Sequence, residues 1–170
     1  MTAALSTRPG LVRALAAVSG AEIGLLRAVA LDVVAVGDGE ALDALGPEAV
    51  GVLRQVTGPI SVDLQAHSTP DGGATTFLGR GSHGIAASAH LSLVAGEGAG
   101  YLRASLRIIG THGSMLVDLL RPALDLRTAS GPRHVPFGAS GAEVPSGDVA
   151  GTLSAIAASA RSGRHTTTSW

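Results

Sequence analysis

Residues able to do chemistry are few in this chain, and their spacing limits what they can do. Gly79-Arg80-Gly81-Ser82-His83-Gly84 fits the pattern G-x-G-x-x-G. In a dinucleotide site those glycines turn a strand tightly into a helix whose N-terminus holds the pyrophosphate. Residues 85–94 instead alternate as a strand, so the sequence supports a glycine-rich hairpin here. Ser82 and His83 are adjacent, but a nucleophile and its base are brought together in space, so adjacency makes no dyad. The six His show no metal-ligand spacing with a carboxylate, and no metal site is expected. His112 falls in a Gly-rich turn and reads as surface. Arg133-His134 lies within residues 129–147, a Gly/Pro/Ser-rich stretch that reads as a flexible surface loop and could carry a lid over a ligand.

Missing residue types exclude more. Cys is absent, which removes disulfides, Cys-ligated zinc, iron–sulfur clusters and thiol nucleophiles. Lys and Asn are absent too, and all 12 basic residues are Arg. No Schiff base, pyridoxal-phosphate lysine or P-loop lysine is available. The net charge of -1 gives no footprint for nucleic acid, and four aromatic residues (Phe77, Tyr101, Phe137, Trp170) make no base-stacking platform. The longest stretch free of charged residues, 81–96, is short of a membrane span and carries Ser and His. No apolar run follows Arg8 and Arg13, so no export signal is read and a cytoplasmic protein away from membranes is expected. The mean hydropathy of +0.35 is apolar for a lone monomer and points to surface buried against another chain, a homodimer being the simplest case.

The 170 residues suit one domain, 1–170, and the 45% hydrophobic content can build a real core. Residues 9–19 carry apolar side chains at helical spacing behind Pro9. Residues 25–36 form a nearly unbroken apolar strand. A second helix spans 40–55, interrupted near Gly46-Pro47. Strands are then expected at 60–67, 75–78, 85–94, 101–109, 115–119 and 124–128, each bounded by Gly or Pro. Gly110-Thr111-His112-Gly113 is hairpin chemistry, with two Gly able to take positive φ. A last helix covers 148–161 with Ser146 as N-cap, before a short Thr-rich tail. Helices at both ends with consecutive strands between them argue α+β: a single open, mostly antiparallel sheet with helices packed on one face.

The other sheet face can be read by alternation. Asp63 and His67 share a side of one strand, His90 of another, and Tyr101, Arg103 and Arg107 of a third. Two readings follow for Asp63, His67, His90, Arg103 and Arg107. They could line a pocket for an anionic or polyhydroxyl small molecule, with Arg as fork donor. The stronger reading is an isologous dimer interface of paired charges.

The segment order resembles the C-terminal domain of the Gfo/Idh/MocA oxidoreductases over nearly the whole chain. Arg8-Pro9, Gly20-Ala21-Glu22-Ile23-Gly24 and Arg27-Ala28-Val29 look like that family's helix, turn and first strand. Residues 44–54 with Gly58-Pro59-Ile60 look like its active-site helix and following turn. Residues 106–118, Leu-Arg-Ile-Ile-Gly-Thr-His-Gly-Ser-Met-Leu-Val-Asp, are similar to its I-x-G-T-x-G-S-L-x-V-D hairpin. The resemblance implies a substrate and dimerisation domain, often paired through its sheet. It also implies a nicotinamide cofactor held by a Rossmann domain and a catalytic lysine on a Glu-Lys-Pro segment, neither of which is in this sequence. The family's Asp-x-Gly-x-His-x-x-Asp helix falls here on Ala44, Gly46, Glu48 and Gly51, so only the Gly persists. Proton transfer needs a titratable group at that place, and Glu48 is the one left. No cofactor is expected. The implied function is a substrate-binding or scaffolding subunit without redox chemistry of its own, assembled with a Rossmann-bearing oxidoreductase. The alternative is a repurposed cofactor-independent isomerase, lyase or cyclase using Glu48 or the polar sheet face.

Overall fold

The computed structural model describes residues 4–37, 39–96, 100–137 and 150–169. A short 3-10 turn, Leu5–Thr7, precedes helix α1, Pro9–Ser19. Strand β1, Leu26–Val36, leads into helix α2, Gly39–Thr57. Strands β2 (Ser61–Ser68), β3 (Ala74–Gly81) and β4 (Ala86–Val94) follow, and then β5 (Gly100–Gly110), β6 (Gly113–Asp118), β7 (Ala123–Thr128) and β8 (Gly131–Pro136). Helix α3, Ala150–Ser162, and strand β9, Thr166–Ser169, complete the described chain. The strands make one sheet in the order β8-β7-β6-β5-β1-β4-β3-β2-β9. Only the β1–β4 pair is parallel; the others run antiparallel. The architecture is the α+β arrangement expected from the segment order.

All three helices lie against the same side. α1 contacts β6 and β7, α2 contacts β1 and β4, and α3 contacts β2 and β9. On that side Val29, Leu31, Val33, Leu64, Phe77, Leu91, Leu106, Ile108 and Val117 are buried, meeting Leu11, Val52, Leu53 and Ile156 from the helices. Two buried hydroxyls close the C-terminal corner. Ser159 Oγ accepts the Ala66 N–H at 3.0 Å and donates to the Arg164 carbonyl at 2.6 Å, and Thr152 Oγ1 donates to the Ser169 carbonyl at 3.1 Å. β9 pairs with β2 only over Ser61–Leu64, so Ser159 supplies the acceptor that the Ala66 amide would otherwise lack. Among the described residues no helix is long and apolar enough to cross a membrane.

Several expectations are corrected. α2 runs unbroken through Pro47, because Ala49, Val50, Val52, Leu53 and Val56 are buried along it and hold the helix despite the lost amide. The stretch 129–147 is not wholly a loop: Gly131–Pro136 is an edge strand paired with β7, while 138–147, and Ser146 with them, lie outside the described residues. The Thr-rich tail forms β9, as β-branched residues favour extended structure. Gly110 and Gly113 do not take positive φ. They are glycines for close approach: a Cβ on Gly110 would strike the Ile23 carbonyl, and one on Gly113 the Arg127 carbonyl. Tyr101 does not share a face with Arg103. β5 carries one extra residue opposite β1, where Val34 pairs with Arg103 but Ala35 pairs with Tyr101. This bulge turns Tyr101 toward the helices and leaves Leu102 57% exposed, where alternation had placed it in the core.

The glycine geometry gives a paired test. Gly110→Ala should lower stability by about 1–3 kcal/mol through the clash with Ile23. Gly51→Ala, in α2 with no atom within 4 Å of the new Cβ, should raise it by roughly 0.5–1 kcal/mol. Urea midpoints at unchanged slope measure both.

Candidate functional site

The sequence-selected residues fall on opposite sides of the sheet. Glu48 lies on the helix side, one residue after Pro47 in α2. Its Oε2 accepts the Leu5 backbone N–H at 2.7 Å and the Tyr101 hydroxyl at 2.8 Å. One carboxylate oxygen thus ties the N-terminal turn, α2 and β5 together. Burial raises the Tyr101 pKa well above that of free tyrosine, the hydrogen bond to Glu48 and its negative charge add to this, and the Arg8 charge opposes it. Arg8 Nε is buried beside this cluster with no hydrogen-bond partner among the described residues. A general base must reach a substrate proton. Here Oε2 is engaged by two donors of the chain itself, and the geometry is that of a structural tie.

Asp63, His67, His90, Arg103 and Arg107 all lie on the helix-free face. Cross-strand register sets His67, Thr76, His90, Asp32 and Ser105 in one row across β2, β3, β4, β1 and β5. Within it, Thr76 Oγ1 and His90 Nδ1 are 2.7 Å apart, and Arg103 Nη2 donates to both Asp32 oxygens at 2.8 and 2.9 Å. Asp63 stands two rows away on this face, opposite Arg80, and accepts the Thr167 hydroxyl at 3.3 Å. Arg107 pairs with Ala30 on β1 and Leu116 on β6. The first reading of these five as one pocket therefore divides. Arg103 is held by Asp32 and His90 by Thr76, while Arg107 lines two open grooves, one of about 310 Å³ over Ala30, Ser88 and Leu78 and a larger one toward β8.

Sequence reading missed Asp32, Thr76 and Arg127. Asp32 is the one carboxylate inside the apolar run of β1, and its parity with Ala30 and Val34 was the available signal. Arg133 and His134 are not on a lid. Arg133 bonds Glu22, which Arg13 also holds, and His134 Nδ1 lies 2.8 Å from Asp125. His112 is exposed and bonded to Thr111, and Ser82-His83 sit exposed in the β3–β4 turn. The glycine motif is that hairpin, with the Gly84 amide donating to the Gly81 carbonyl. Among the described residues no group of three or more His, Asp or Glu could hold a metal ion.

No family model matches the sequence, and no curated protein matches it. Solved structures do match in shape. An NAD-binding oxidoreductase from Klebsiella pneumoniae superposes with a TM-score of 0.75 at 14% identity, covering 96% of this chain and 64% of that one. An oxidoreductase domain protein from Kribbella flavida gives 0.74 at 15% identity, covering 94% and 63%. An Agrobacterium radiobacter oxidoreductase, solved with NAD+, L-tartaric acid and magnesium, gives 0.71 at 13%, covering 94% and 61%. The fold shared is that of Gfo/Idh/MocA-type oxidoreductases, over part of their length. This chain spans less than two thirds of each of those proteins.

The Glu48–Tyr101 tie has a clean pH signature. The folded protein keeps on Tyr101 a proton that the unfolded chain loses above about pH 10, so stability falls as pH rises through that value. The chain has one Tyr, no Cys and no Lys, and Arg stays charged beyond about pH 12, so no other side chain titrates in that window. Urea unfolding between about pH 8 and 11 should show this limb in the wild type and not in Tyr101→Phe. Glu48→Ala should cost about 1–3 kcal/mol near neutrality by stranding the Leu5 and Tyr101 donors.

Proposed function

We propose that this chain is a non-catalytic scaffolding subunit of an oxidoreductase, a sheet platform that pairs with a second copy and with a Rossmann-bearing partner. The fold shared with NAD-binding oxidoreductases supports the setting, and the proposal places the protein in the cytoplasm. The observation that carries the scaffolding role is the helix-free face between β1 and β2. Leu78 is 56% exposed there and Val94 46%, on a surface that also holds Ala28, Ala30, Ala86, Ser88, Ser92 and Thr76. Asp32 on this face is paired with Arg103, His90 Nδ1 lies 2.7 Å from Thr76 Oγ1, and Arg80 stands opposite Asp63 at the border. Such a face can be covered with little loss of solvation for charged groups. The remaining polar residues at its border, Asp63 and His67, suit a rim.

Hydride transfer by this chain alone finds no support in its residues. The sequence has no lysine, Ala44 and Gly51 stand where the resembling family has carboxylates, and Glu48 is tied to Leu5 and Tyr101. The alternative of a cofactor-independent enzyme would use Glu48, which is tied to Leu5 and Tyr101, or the polar sheet face, where Arg103 is held by Asp32 and His90 Nδ1 lies 2.7 Å from Thr76 Oγ1.

Sedimentation equilibrium tests the reading. The wild type should be a dimer at micromolar concentration, and Leu78→Asp should weaken the dimer by at least about tenfold while the melting curve of the monomer persists. A wild type that stays monomeric contradicts the proposal. Titration with NADH should show no binding to the isolated chain, and tight binding would count equally against it.

A further inference from the structure

The other half of the helix-free face carries a second feature, which borders the surface proposed for pairing at Arg107 and Leu116. β5, β6, β7 and β8 enclose a groove of about 660 Å³, within the size range of small-molecule sites. Three arginines line it: Arg133, already bonded to Glu22, and Arg107 and Arg127. Arg107 on β5 pairs with Leu116 on β6, and Ser114, two residues before Leu116, pairs with Arg127 on β7. Their Cα atoms are thus two strands and two residues apart, about 12 Å by sheet spacing. Both side chains line the groove, whose floor includes Leu116 and Ile109, 41% and 42% exposed.

The charge balance around this groove is uneven. Among the described residues, Asp118 on this half of the face is paired with Arg121 at 3.5 Å, and Asp125, which lines the groove opposite Leu116, lies 2.8 Å from His134 Nδ1. Asp32, the nearest on β1, is held by Arg103. Neither Arg107 nor Arg127 joins any ion pair among the described residues. Two guanidinium groups outside any ion pair among the described residues therefore flank the Leu116 and Ile109 floor, with Ser114 adding a hydroxyl between them and Asp125 the carboxylate on the β7 side. Guanidinium offers a planar fork that fits an oxyanion, and the floor would reward an apolar body and disfavour a polyhydroxyl one.

We propose that this groove binds a small organic oxyanion, a carboxylate or phosphate on an apolar body, with Arg107 and Arg127 as the charge-assisted donors and Leu116 and Ile109 as the contact for the body. Asp125 and His134 face the groove from β7 and β8.

Calorimetric titration of the full chain with benzoate, phenyl phosphate, inorganic phosphate and benzamide tests the site. Benzoate or phenyl phosphate should bind, the stronger of the two naming the headgroup, with benzamide and inorganic phosphate weaker by about tenfold. Arg107→Gln and Arg127→Gln should each weaken that binding by about tenfold, and Arg161→Gln on α3 should leave it unchanged. Circular-dichroism melting of each variant separates lost binding from lost folding. No binding of either aromatic anion, equal binding of benzamide or of inorganic phosphate, or affinity unaltered in both groove variants would overturn the assignment. Arg107 also lines the smaller groove over Ala30 and Leu78, so Arg127→Gln on β7 is the variant that tests this site with the dimer test untouched.

Discussion

The structure depends on a nine-stranded sheet that is sealed from water on one side only. The seal is made in three places. α1 covers β6 and β7, α2 covers β1 and β4, and α3 covers β2 with β9. Burial of apolar area drives this, and Phe77, Leu106 and Ile108 at the sheet centre are wholly removed from solvent. A sheet so built has a second face with no helix to hide it. What that face carries decides what the protein can meet, and Leu78, Val94, Arg107 and Arg127 stand on it.

Glu48 shows how a position can keep its place and change its work. The carboxylate that stands where an acid or base is expected from the family resemblance holds the Leu5 amide and the Tyr101 hydroxyl. That contact exists because β5 carries one extra residue beside Leu102. The bulge swings Tyr101 from the open face to the helix side, and the same displacement leaves Leu102 in solvent. One inserted residue therefore joins the N-terminal turn to the sheet and removes a tyrosine from the face where alternation had put it.

Much of the architecture was legible because the signals were local. Pro9 begins α1, alternation marks Val62, Leu64 and Ala66 as inward on β2, and Gly58-Pro59 separates α2 from the meander. What escaped depended on distant partners. Strand pairing of Thr166–Ser169 with β2 is set by the Ser159 and Thr152 hydroxyls, and no pattern within four residues reveals that. β8 looked like loop because Pro132 and Pro136 fit an edge strand as well as a turn. On the candidate site, period two found His67, His90, Arg103 and Arg107 on one face, but not that Asp32 would hold Arg103, since Asp32 sits on a strand more than seventy residues earlier (|i−j| = 71). Helix continuity through Pro47 likewise rests on tertiary burial rather than propensity.

The central claim is that the helix-free face, between β1 and β2, is covered by another copy of the chain. Hydroxyl-radical footprinting across a range of protein concentrations addresses it residue by residue. Oxidation of Leu78 should fall as concentration rises, while Leu25, 71% exposed just before β1 and outside the strand rows that hold Leu78, should keep its reactivity. Leu78 reacting as readily in concentrated as in dilute solution would contradict the account.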